Sequence, residues 1–260
     1  MMIHETAIVD KRAEIDPSVE IGPYSIIGPG VKIGKGTKIG SSVRIEGETI
    51  IGENNKIFHG ATIGLDPQDY AFKREKSGVI IGNNNIIREY ASIHRATGEG
   101  NYTIVGDNNF IMAYAHIAHN CHVGSNIIIV NAAQLAGHVI VEDFAYISGL
   151  VGVHQFVRIG RYSLIGANSK LVQDLPPFVI AQGVSAKATG INIVGLKRKG
   201  FTLDRIKVIK EIYRIFFRSN LNTSEALEEI MRQFPDSPDA QEFVEFVKNS
   251  KRGVLKKSER

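Results

Sequence analysis

Every sixth residue from Ile3 to Leu171 is aliphatic at 26 of 29 positions, the exceptions being Asp69, Glu75 and Glu99. A six-residue period drifts off the 3.6-residue stripe of a helix but suits a short strand followed by a turn. Glycine often follows the aliphatic residue, as at Gly22, Gly34, Gly106 and Gly160, where it is read as serving the turn. Two residues before the aliphatic position the side chain is small or β-branched, as at Ala61, Ala91, Ala115 and Ala133. The three exceptions fall in two interruptions, residues 65–79 and 95–103, which keep the hexad phase and so bulge from an unbroken stack. Loops carried on a rigid scaffold are good places to look for function.

The spacing resembles the hexapeptide repeat of the left-handed parallel β-helix, in which three hexads close one triangular coil of roughly 18 residues. The hand is implied by the resemblance, since the general crossover rule favours the opposite one. The chain is therefore read as mainly β. Residues 1–200 form the β-helix with its protruding loops, and residues 201–260 form an α-helical C-terminal domain. There Thr202 can cap a helix running through Phe217. Asn222 and Glu225 have capping-box spacing, and Ser237-Pro238 reads as the N-cap and first position of another helix. Such helices also cover an exposed sheet edge.

Composition narrows the class of protein. With 43% apolar and 22% charged residues in 260, the chain is neither disordered nor membrane-embedded. The run Ile127 to Val130 is far too short to span a bilayer. The N-terminal stretch lacks the basic start and apolar core of a secretory signal, so the cytoplasm is the expected compartment. A single cysteine, Cys121, excludes a disulfide framework; it falls on an inward small-residue position and reads as core. Net charge is only +4, but residues 157–218 carry 12 Lys and Arg against Asp174, Asp204 and Glu211. That stretch is either a solvated face or the site of an anionic partner: nucleic acid, phosphorylated ligand or acidic protein.

Residues one coil apart stack as neighbouring strands, about 4.8 Å from each other. His119, Gly137 and Gln155 then share a column, and Asn120, His138 and Phe156 share the next. Five of the eight histidines, His116, His119, His122, His138 and His154, crowd into this region and miss the inward positions. They are either solvated surface histidines or the lining of a site. Outward Tyr114, Phe144, Leu150, Phe156 and Tyr162 make an apolar prism face that wants a partner. Three such prisms packed together would bury these faces and leave clefts between subunits.

Certain segments outside the hexads are specific. They are His116-Ile-Ala-His119-Asn120, Leu135-Ala-Gly137-His138, His154-Gln155-Phe156, Gln173-Asp-Leu-Pro-Pro177, Ile180-Ala-Gln-Gly183 and Gly195-Leu-Lys-Arg198-Lys-Gly-Phe201. In this order they resemble the UDP-N-acetylglucosamine O-acyltransferases, which catalyse the first step of lipid A synthesis using acyl carrier protein as donor. The resemblance covers nearly the whole chain. It implies that His119 is the general base on the sugar 3-hydroxyl and that the Gly137 N–H stabilises the thioester oxyanion, with no metal, further cofactor or covalent intermediate. A histidine is suited to the first task because its ordinary pKa lies near neutrality.

The resemblance further implies sugar-nucleotide contacts at Gln68 and Asp69 from the first loop. It places His116, His138, His154, Gln155, Asn192 and Arg198 around the sugar, diphosphate, uridine or pantetheine arm. Ala167 would set the floor of the acyl pocket, where relatives using longer chains have glycine. The basic stretch acquires an acidic partner in acyl carrier protein, with Arg158, Arg161, Lys170, Lys197 and Lys199 as expected contacts. Nucleic acid is not expected, because no stacking aromatics interleave the basic residues. A homotrimer with active sites between subunits completes the expectation.

The chain departs from the family pattern at four places. Asn120 stands where aspartate is usual, Ala71 replaces a loop lysine, Val194 a glutamate, and Lys199 an arginine. Some relatives acylate the 3-amino analogue of the sugar, and the loss of the loop lysine keeps that substrate open. Other readings are a zinc enzyme like the γ-class carbonic anhydrases, the N-acyltransferase acting later in the pathway, and a non-catalytic scaffold. Successive outward histidines lie about 10 Å apart along extended chain, so chelation would need a second subunit. The N-acyltransferase has an extra domain before its hexads, whereas here they start at Ile3.

Overall fold

The structure, a computed structural model, describes residues 2–255. Its strands are mostly two residues long and build three sheets of 11, 9 and 8 strands. Pairing is parallel throughout the stack. Met2 faces Glu20 and Ile3 faces Ile21, so the ordinary coil is three hexads. Inward aliphatics form continuous columns: Ile21, Ile39, Ile57, Ile87, Ile111, Ile129, Ile147 and Ile165 are all at most 4% exposed. Burying each contributes roughly 2 kcal/mol.

The two loops keep phase for a simple reason. Glu48 pairs with Gly78 and Gly78 with Tyr102, so these coils are five and four hexads long, each exceeding the ordinary coil by whole hexads. Every inward aliphatic after a loop therefore returns to its column. Buried polar groups bond within the stack: Asn85 Nδ2 donates to Asn55 Oδ1 at 3.0 Å, and Asn109 Nδ2 to the Gly124 carbonyl at 2.9 Å. Cys121 is fully buried; its thiol donates to the Ala136 carbonyl, and burial pushes its pKa up to about 12. It is an inert core residue.

The glycines after the aliphatic positions serve a different end from the one expected. A Cβ on Gly22 would lie 2.7 Å from the Gly40 carbonyl carbon and oxygen of the next coil, so close stacking of the chain requires glycine there. The left-handed backbone falls two residues later in most turns, often on asparagine (Asn54, Asn84, Asn108, Asn120, Asn126) and also on Tyr114, His138 and Phe156.

Strand Val179–Gln182 closes the stack and pairs antiparallel with Lys187–Ile191. Helices α1 (Ile193–Arg198), α2 (Leu203–Arg218), α3 (Thr223–Gln233) and α4 (Pro238–Lys248) follow, so helix begins before residue 201. Thr202 and Ser237 cap α2 and α4, and Asn222 with Glu225 makes a full capping box on α3. Arg205 on α2 makes a two-bond ion pair with the buried Asp239 of α4, at 2.7 and 2.8 Å. No helix among the described residues is long and apolar enough to cross a membrane.

Candidate active site

A cavity of about 600 Å³ lies on the outer face of the sheet carrying strands Ser92–His94, His116–Ile117, Gln134–Leu135, Gly152–Val153 and Lys170–Leu171. Successive outward positions of these strands are Ser92, His116, Gln134, Gly152 and Lys170, paired in register. His119 sits at the turn after its strand, half-buried against the cavity. Gln68 of the first loop and His154, Gln155 and Gly137 complete the lining.

His119 is held from three sides. Beneath it, a Cβ on Gly137 would meet the imidazole Cε1 and Nε2 at 2.6 Å, so glycine makes room for the ring itself. At one edge Nδ1 hydrogen-bonds Asn120 Oδ1 at 2.9 Å. At the other, Asp69 Oδ2 of the first loop stands 3.7 Å from Nε2, while Asp69 Oδ1 accepts the Ala71 N–H at 2.9 Å. His138 packs edge-on to the same ring at 5.3 Å between centroids. The His138 N–H donates to the His119 carbonyl, which locks the two coils together. Among the described residues no protein acceptor takes the Gly137 N–H.

Three neighbouring imidazoles have their pKa values pushed down. Burial, then the nearby histidines, pushes His116 down from 6.5 to about 4, while its Nδ1 hydrogen-bonds Ser92 Oγ at 2.7 Å. His94, edge-on to His116 at 4.8 Å, is also shifted down, chiefly by burial. Its Nδ1 has no hydrogen-bond partner. His138 shifts the same way for the same first reason.

The other expected residues divide. Gln68, Asp69, His116, His154 and Gln155 gather at the His119 cleft, and Lys170, the expected carrier-protein contact, also lines it. His138 lies across the turn, lining a smaller cavity with Asn120, His122 and Phe156. Asn192, Arg198 and Ala167 are not among the residues lining the cleft in the single chain. Asn192 is buried as the N-cap of α1, accepting the Gly195 N–H and donating to the Tyr162 carbonyl. Arg158 and Arg161 are not free basic surface: Arg158 pairs with Glu142 and lies over Phe246, and Arg161 pairs with Glu242 of α4 at 3.3 Å. Lys197 and Lys199 are exposed at the end of α1, with Lys199 over the Phe144 ring.

His94 and Gln134 escaped the sequence reading. His94 stacks one coil before Ala118, because Ile93 pairs with Ile117. That coil spans four hexads, so a count of three misses it. Among the described residues no three of His, Cys, Asp and Glu converge as they would around a metal ion.

Residues 174–255 match the family model for UDP-N-acetylglucosamine O-acyltransferase, domain 2, and residues 102–137 that for the bacterial transferase hexapeptide. An acyl-[acyl-carrier-protein]–UDP-N-acetylglucosamine O-acyltransferase from Thermodesulfovibrio yellowstonii is 52% identical over 98% of this chain and 99% of its own. The UDP-N-acetylglucosamine acyltransferase of Francisella novicida superposes with a TM-score of 0.95 at 44% identity, covering 98% of this chain and 94% of that one. That of Bacteroides fragilis gives 0.95 at 42%, covering 98% and 100%. The β-helix with its terminal helices is thus a shared fold, and its hand is the left.

Proposed function

The chain belongs to the UDP-N-acetylglucosamine O-acyltransferase family and transfers an acyl group from acyl carrier protein to UDP-N-acetylglucosamine in lipid A biosynthesis; from that premise we propose that His119 is its general base. The observation that carries this is the His119 ring, seated over Gly137 with Asp69 at its Nε2 edge. Nε2 takes the proton of the sugar 3-hydroxyl as the oxygen attacks the thioester carbonyl of a 3-hydroxyacyl chain. Negative charge moves to the carbonyl oxygen, where the Gly137 N–H is free to receive it. Collapse breaks the carbon–sulfur bond, and the imidazolium returns its proton to the pantetheine thiolate. Asp69 stands where it can orient the hydroxyl and stabilise the imidazolium.

The remaining residues have parts in the same reading. Gln68, His116, His154 and Gln155 contact substrate in the cleft. His138, Asn192, Arg198 and Ala167 contribute across the interface of a homotrimer. Lys170, Lys197 and Lys199 meet the acidic carrier protein, whereas the pairing of Arg158 and Arg161 leaves them a structural part. The reaction uses no metal and no cofactor beyond the carrier's phosphopantetheine, and takes place in the cytoplasm.

A second reading is favoured by one observation. At Ala71 only a backbone N–H meets Asp69, so no lysine at that position opposes an amine at the sugar 3-position. Offering UDP-N-acetylglucosamine and its 3-amino analogue at equal concentration, with one 3-hydroxyacyl carrier-protein donor, decides between them. The expected product by mass is the 3-O-acyl sugar; a dominant 3-N-acyl product overturns that choice.

A further inference from the structure

We propose that Thr97, on the second protruding loop, is a positioning residue that fixes the tautomer of His119 through the side-chain amide of Asn120. The inference rests on His119 being the base, but its geometry stands apart from that reading. Asn120 Oδ1 accepts the Thr97 N–H at 2.9 Å, and Asn120 Nδ2 donates to the Thr97 carbonyl at 3.1 Å. A backbone N–H can only donate and a carbonyl can only accept, so the amide has one permitted orientation. A flip would set donor against donor and acceptor against acceptor.

That orientation turns Oδ1 toward His119. Thr97 Oγ1 also donates to Oδ1 at 2.9 Å, and the Nδ1 of His119 lies 2.9 Å away. An oxygen with no hydrogen to give requires Nδ1 to carry the proton, which leaves the lone pair on Nε2, the atom facing Asp69. The backbone of Asn120 is fixed as well. Its N–H donates to Thr103 Oγ1 at 2.9 Å and its φ is +58°, a region in which asparagine is enriched. The second loop thus grips residue 120 from Thr97 and Thr103. It is itself latched to the first loop, where Glu75 accepts the Gly98 N–H at 2.7 Å and Glu99 accepts the Lys76 N–H at 3.0 Å.

The orienting group is neutral. The charged and titratable groups around the ring are Asp69 at its Nε2 edge, His138 edge-on, and the neighbouring His94 and His116. Placing a carboxylate at residue 120 would add a charge at the Nδ1 edge and favour the protonated ring.

The test reads the tautomer and the rate separately. Long-range proton–nitrogen NMR on histidine-labelled protein, with His119 assigned by its absence in His119→Gln, should show Nδ1 protonated in the wild type. Asn120→Ala, which takes the acceptor away from Nδ1, should introduce the other tautomer and lower kcat roughly tenfold with both KM values unchanged. Thr97→Val removes only the hydroxyl contact and keeps the backbone N–H and carbonyl that set the amide, so the wild-type tautomer should persist in it. Asn120→Asp should move the acid limb of the pH–rate profile to higher pH. Wild-type protein with Nε2 protonated, or an Asn120→Ala enzyme with unaltered tautomer and kcat, overturns the proposal. If His119→Ala keeps full activity while the tautomer responds to Asn120→Ala, the base reading fails and the positioning stands.

Discussion

Gly137 carries two duties in one position. Its N–H has no partner among the described residues, and its missing side chain leaves the space that the His119 ring occupies. Gly137→Ala would put a methyl 2.6 Å from two ring atoms, so the imidazole must turn out of place. We expect kcat to fall at least tenfold with melting temperature nearly unchanged, measured by steady-state kinetics and calorimetry on the same preparation. His116 makes a separate prediction. In the unfolded chain it takes up a proton near 6.5, but in the fold not until about 4. Its contribution is therefore intact above pH 6.5 and lost as pH falls from there to about 4; His94 and His138 shift in the same direction. The melting temperature should decline over that window, and His116→Gln should flatten the decline. His119 and Gly137 are visible together in the sequence because an ordinary coil of three hexads separates them. The pairing of His119 with Asp69 is not, because no periodicity governs where a protruding loop folds back.

At the level of strands and loops, the hexad alone accounts for the stack, since every inward position after Ile21 repeats the same packing problem. The purpose of the glycines is harder to read. Local backbone freedom is the obvious reason for Gly22, but the actual one is contact with the chain one coil further on, which a local reading cannot see. His94 is hidden in the same manner by a coil of four hexads. Arg158 and Arg161 show as bare charge in the sequence because their partners, Glu142 and Glu242, come from another coil and from α4. Lys170 is different. It is exposed beside Gly152 at the far end of the cleft lining. Lys170→Glu should raise KM for acyl carrier protein several-fold and weaken its dependence on salt, leaving KM for the sugar nucleotide within twofold. An unchanged KM for the carrier would remove Lys170 from that surface.

The whole molecule is a prism with a helical end, and its exposed Tyr114, Leu150 and Phe156 lie on corners of the coil. Three prisms would cover such corners and bring Asn192 and Arg198 of one chain toward the His119 cleft of another. If sites are shared in this way, His119→Ala and Arg198→Ala chains, each inactive alone, should regain activity when unfolded and refolded together, up to about a quarter of the wild-type sites. Light scattering should give the mass of three chains before and after. No recovery would place each site within one chain. The chemistry itself is tested at one atom. Transfer of a 3-hydroxyacyl group from acyl carrier protein to UDP-N-acetylglucosamine should be measured for wild type and His119→Ala in parallel, with equal melting temperatures as the control for folding. Turnover should fall by at least about 10² in the variant; a well-folded His119→Ala enzyme working at the wild-type rate would contradict the account.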